Sequence, residues 1–149
     1  MDAPQRLVVI ANLASAWMMV GLIWVVQLVH YPLFDRVAPE QWSTFHGDHS
    51  ARITWVLAVP MPLQLLTAVV LVAAPPEGVG RSLLVVALAG VAAALVVTAV
   101  VSVPAHEALS GGYDPDAHRR LVSTNWARTA AWTIAAVAAT AALWRRIGA

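Results

Sequence analysis

Four apolar stretches alternate with shorter polar ones along the chain, at 7–29, 53–74, 82–103 and 121–144. Inside each, apolar residues follow one another without the two-residue alternation of a half-buried strand, so the pattern predicts helices. Each run is near the ~20 residues that carry a helix across a ~30 Å hydrocarbon core. Prolines punctuate them. Tyr31-Pro32 closes the first, because a proline disfavours helix at the residue before it. Pro39 and Pro115 stand where first helical residues belong, with Asp114 as an N-cap. The run 74–78, Ala-Pro-Pro-Glu-Gly, separates the second stretch from the third, and Pro60 and Pro62 predict a kink in the second. The expected helices are therefore about 7–30, 39–73, 82–104 and 115–145, with loops 31–38 and 105–114 on one side. The fold expected is all-α, an integral membrane four-helix bundle with residues 1–149 as one domain.

Composition agrees with that class. The chain is 60% hydrophobic and 11% charged, whereas a soluble domain is about half apolar and a quarter charged. Mean hydropathy is +0.71. The first run reads as an anchor and not a removed signal peptide, since no small-residue cleavage site follows it. A net charge of +1 leaves no nucleic-acid footprint, and the absence of cysteine excludes disulfides and thiolate chemistry. The basic residues are all arginine. Arg6, Arg81, Arg145 and Arg146 fall on the terminal side, and Arg36, Arg52, Arg119 and Arg120 on the other, so the positive-inside count ties. Acidic residues tip the expectation toward termini inside, in the cytoplasmic membrane, with the opposite face outside.

The five histidines change the picture. His30 closes the first helix, His46 and His49 open the second, His106 follows the third and His118 opens the fourth. Four alternating spans put all of those ends on one face, roughly 5–12 Å above the hydrocarbon core. His46 and His49 are three apart and share a helical stripe, the spacing of an imidazole pair that chelates Zn²⁺, Cu²⁺ or Fe²⁺. Bundle cores are where such sites are built. The metal candidates are therefore His30, His46, His49, His106 and His118, with Asp48 and Glu107 as extra ligands, orienting groups or proton carriers. Imidazole dominance suits copper first, then zinc or, with a carboxylate, non-haem iron. The bland alternative is a polar helix cap whose histidines only hydrogen-bond.

Beneath this layer, His118, Asn125, Arg128 and Trp132 follow helical spacing on one stripe. An ionisable group at the hydrocarbon boundary ordinarily faces the bundle interior. Arg128 and Asn125 are therefore candidates to hold an oxyanion or a substrate oxygen, against the alternative that Arg128 snorkels outward. Trp24, Gln27 and Tyr31 make a matching stripe on the first helix, and Gln64 is a deep amide that needs a partner. Trp42, Trp55, Trp126 and Trp144 read as interfacial belt, and Met18, Met19 and Met61 as packing.

The segment 103–132, "VPAHEALSGGYDPDAHRRLVSTNWARTAAW", resembles the last part of a family of small four-helix membrane proteins, largely of unknown function, that includes the anthrone oxygenases. The likeness lies in a span ending at Pro104, a polar loop with Glu107, then Trp126 and Arg128. The segment 24–34, "WVVQLVHYPLF", is similar to the end of the first helix in bacterial relatives. The resemblance implies a four-helix bundle and oxidation of an aromatic substrate; the histidine load departs from it. Together these readings give a membrane metalloprotein that oxidises a hydrophobic, aromatic small molecule, with the bilayer and that molecule as partners. The alternatives are a haem or metal-binding electron carrier or chaperone without turnover, and a structural membrane subunit.

Overall fold

Most prolines sit where a helix starts, breaks or changes its winding, and Pro75 and Pro76 lie in the connection between two helices. The computed structural model describes residues 1–147, with side chains through 144; the side chains of Arg145 and Arg146 lie outside the described residues. Helix α1 (Ala3–Val25) starts at Asp2, whose side chain accepts from the Gln5 amide. It widens into a π turn at Val26–His30 and tightens into a 3₁₀ turn at Pro32–Arg36. Helices α2 (Pro39–Leu57) and α3 (Pro60–Ala73) form one rod, broken at Ala58-Val59 just before Pro60. Helix α4 (Arg81–Val97) passes through a second π turn at Thr98–Ser102 into α5 (Val103–Ser110). Helix α6 (Pro115–Ile147) is the fourth rod. Asp114 caps it by accepting from the amides of Asp116 and Ala117 at 2.7 and 3.1 Å. Gly78 turns the 74–80 connection at φ +73°, a conformation open to residues without Cβ.

Both π turns end two residues before a proline, Pro32 and Pro104. A proline ring has no N–H to donate and presses on the carbonyl four residues back. A wider turn moves that carbonyl aside, and the amides of Tyr31 and Val103 bond back to Val26 and Thr98 instead. This corrects the expected loop at 105–114. The wide turn absorbs Pro104, so the helix runs on to Ser110 and carries His106 on it.

The rods form a closed ring in chain order: α1 packs on α3 and α6, and α4 on α3 and α6. Neighbours are antiparallel, as Asn12 to Thr67 and Trp17 to Thr140 show at one end and Gln27 to Asn125 nearer the other. The α1 seam recurs at Val9, Asn12, Ala16, Met19 and Ile23, a three-four spacing suited to a close bundle. The neighbours α4 and α6 touch at backbone distance: a Cβ on Gly90 would stand 2.8 Å from the Ala131 carbonyl oxygen.

Three rods, Ala3–Arg36, Pro39–Ala73 and Arg81–Ser110, are long and apolar enough to cross a membrane. Their outward faces carry large exposed apolar residues, among them Leu7, Ile10, Leu66, Val96 and Val100. Helix α6 is less apolar because Arg128, threonines and tryptophans interrupt it, and it buries a face of alanines, Ala135, Ala136, Ala138, Ala139 and Ala142.

Candidate functional site

The five histidines stand at one end of the bundle, but as two pairs and one outlier. His30 ends the first π turn, and its Nε2 lies 2.7 Å from His49 Nδ1. His46 Nε2 lies 3.2 Å from Nδ1 of His106 on α5. The His49 and His106 rings stack at 5.5 Å between centroids, which joins the pairs into one cluster drawn from three rods. In each pair one ring donates an N–H and the other accepts, so each keeps at least one neutral imidazole. His106 Nε2 is also 3.0 Å from the Tyr31 hydroxyl. His49 Nε2 is buried with no partner.

His118 stands apart. Its Nε2 donates to the Tyr31 carbonyl at 2.8 Å, and its Nδ1 accepts from the Tyr113 hydroxyl at 2.9 Å. Both ring nitrogens are used in tying α6 to the end of the first rod. Tyr113 keeps its proton for this bond: desolvation first, then Asp35, pushes its phenol above the ordinary value. The carboxylates do not join either. Asp48 and Glu107 are exposed and hydrogen-bond to none of the rings among the described residues. Among the described residues, no three histidine or carboxylate side chains converge on one point fit for a metal ion.

The cluster sits in an aromatic box that the spacing argument assigned only in part. Phe34 is fully buried and meets His30 and His49 edge-on, both at 5.2 Å, and stacks on His118 at 6.0 Å. Trp42 stacks on His46 at 5.5 Å and donates its indole N–H to the Leu109 carbonyl. Trp42 is 1% exposed, which removes it from the belt; Trp55, Trp126 and Trp144 remain exposed. A signal was present in the sequence: Trp42, His46 and His49 follow a four-three spacing on one helical face.

Below the rings lies a polar ladder. Asn125 Nδ2 donates to Gln27 Oε1 at 2.9 Å, and Gln27 Nε2 to the Val122 carbonyl. Arg128 turns inward and donates through Nη1 to Asn125 Oδ1 at 2.9 Å and to Ser102 Oγ at 3.4 Å. Its Nε is buried and unbonded. Arg128, Ser102, Tyr31 and His106 line a partly open cavity of about 100 Å³, together with Thr98 and mostly apolar side chains. A larger groove of about 530 Å³ runs outside it between α1 and α2, past Val25 and Val29 to His30 and His49, with Asp48 and Arg52 on its rim. Gln64, expected to need a partner, is buried with its Oε1 unbonded.

Comparison with protein-family models, curated proteins and solved structures finds no match for this chain.

Proposed function

We propose that this chain is an integral membrane four-helix protein that holds a transition metal ion among His30, His46, His49 and His106 and oxidises a hydrophobic small molecule there. One observation carries the reading: four imidazoles from three rods meet in two nitrogen–nitrogen contacts of 2.7 and 3.2 Å, beside a buried ring nitrogen with no partner. Two imidazole nitrogens bound to one metal at ~2.0–2.1 Å with tetrahedral angles lie about 3.3 Å apart, close to the 3.2 Å contact of His46 with His106; the 2.7 Å contact of His30 with His49 would have to widen. The set is all imidazole, which favours copper, then zinc, then iron; of these, copper and iron change oxidation state, as oxidation of a substrate requires. The resemblance supplies the reaction class, with dioxygen as oxidant. The groove between α1 and α2 gives a lipid-borne molecule a path to His30 and His49. Haem fits less well, because bis-imidazole ligation places a porphyrin plane between rings that here touch.

Membrane insertion is supported by the three long apolar rods and their apolar outward faces. Helix α6 joins them as the fourth span through its buried alanine face, with Ile134, Val137 and Trp144 outward. The histidine end is assigned to the outer face of the cytoplasmic membrane. The chain has no cysteine, so a Gly111→Cys variant labelled by a membrane-impermeant maleimide on intact cells tests that assignment.

The decisive experiment is elemental analysis of protein purified in mild detergent without a histidine tag. Stoichiometric copper, zinc or iron is expected, lost in a His46→Ala/His49→Ala double variant. Metal far below stoichiometric in folded wild-type protein overturns the reading. It would favour a second one, in which the continuous chain from His46 through His106 to the Tyr31 hydroxyl passes protons without a metal.

A further inference from the structure

Arg128 is 7% exposed, and among the described residues no carboxylate pairs with it; the ion pairs are Arg36–Asp35 and Arg119–Asp116. Its partners, Asn125 and Ser102, and the neighbouring Tyr31 hydroxyl are all neutral. They solvate the guanidinium without cancelling its charge, and a buried charge lacking a counter-charge is strongly disfavoured. Both contacts fall on Nη1, which leaves the Nε edge of the planar fork unengaged beside the cavity. That edge takes a carboxylate side-on through two parallel bonds. The Tyr31 hydroxyl and Ser102 line the same cavity.

The size of the space narrows the ligand. About 100 Å³ holds roughly three waters at ~30 Å³ each, and is smaller than the ~150 Å³ cavity that accepts benzene. A carboxylate with its first methylenes fits; an aromatic ring does not. Leu22, Val26 and Ile53 line both the cavity and the groove between α1 and α2. These three side chains are thus shared by the two spaces, which lie against one another.

We propose that the cavity binds the carboxylate of an unbranched aliphatic monocarboxylate on Arg128, with the chain running out through the α1/α2 groove past the histidine cluster. This names the substrate class of the site proposed above and replaces the aromatic molecule that the resemblance implies. It rests on that reading for the reaction only; binding rests on Arg128.

The test is calorimetric titration of detergent-purified protein with sodium decanoate, decanol and sodium acetate near neutral pH, each corrected by titration into empty micelles. Decanoate is expected to bind at least about tenfold tighter than decanol, as a charge-assisted bidentate contact requires, and tighter than acetate. Arg128→Gln is expected to bring decanoate down to the decanol level. Equal binding of decanoate and decanol by wild-type protein overturns the anion site, and needs no variant to fold. Acetate binding as tightly as decanoate overturns the chain-bearing ligand and points to a free small anion. Undiminished decanoate binding by Arg128→Gln overturns the role of the guanidinium. Repeating the titration on metal-stripped wild-type protein separates the two readings. Retained decanoate binding supports this site even if the metal reading fails, and no binding by metal-loaded protein overturns this site alone.

Discussion

Away from the histidines α4 and α6 meet on small residues, with Gly90 against Ala131 and Ala135, and Ala87 against Ala138 and Ala139. At the histidine end the rods meet on rings, with Phe34, Trp42 and Tyr31 packed around four imidazoles. Small residues bring the backbones of that seam into contact. Rings hold the rods further apart and carry polar atoms that need partners. The two π turns lie at the boundary, and the cavity opens between Thr98, Ser102 and Val26, which belong to those turns. Space for a ligand thus appears where packing on alanine gives way to packing on rings. π turns are frequent at functional sites for the same reason, since they interrupt a uniform helix surface.

Breaking the ring-packed end should have the largest consequence. The double change His46→Ala/His49→Ala is expected to remove bound metal almost entirely while leaving helicity by circular dichroism intact; retained metal would show that these imidazoles only cap the bundle. Lowering pH should release the metal from wild-type protein as well, because protons compete for the ring nitrogens. Phe34→Ala should come next, at about 3–5 kcal/mol for emptying a fully buried ring site. It should lower thermal stability and metal affinity together, because Phe34 touches both His30 and His49.

Gly90→Leu attacks the alanine-packed half instead. Its Cβ would already meet a backbone oxygen at 2.8 Å, and overpacking of this kind costs about 1–3 kcal/mol. The folded fraction should fall in a thermal melt while metal per folded molecule stays constant, which sharpens the contrast with Phe34→Ala. The smallest effect is expected for Asn12→Ala, which removes the 3.0 Å bond to Thr67 between α1 and α3. Interhelical bonds in a membrane average about 0.6 kcal/mol, so a loss well above that would mean the Asn12 end depends on polar contacts more than its alanine packing suggests.

Much of the fold was written in periodicity. The proline positions located the helix starts at Pro39 and Pro115 and the break before Pro60, and Asp114 announced its own cap. The grouping of all five histidines at one end followed from counting spans, and the inward turn of Arg128 from the stripe it shares with Asn125. These are properties of one helix at a time, or of the order of helices along the chain, and a sequence holds them directly.

Which side chains met was decided elsewhere. The pairing of His30 with His49 and of His46 with His106, the withdrawal of His118 to Tyr31 and Tyr113, and the outward placement of Asp48 and Glu107 depend on how each rod is rotated about its axis. Each π turn adds a residue to one turn, and a residue is worth ~100° of rotation on a helix. His30 and His106 both lie at or beyond such a turn, so their directions shift relative to the phase set by the residues before it. The rotation of α4 and α6 is fixed by the contact of Gly90 with Ala131 and Ala135, far along the chain from the histidines it helps to aim. The sequence by itself determined the helices and the layer; only the packing of four rods, phased by two wide turns and one close contact, decided which imidazoles touch.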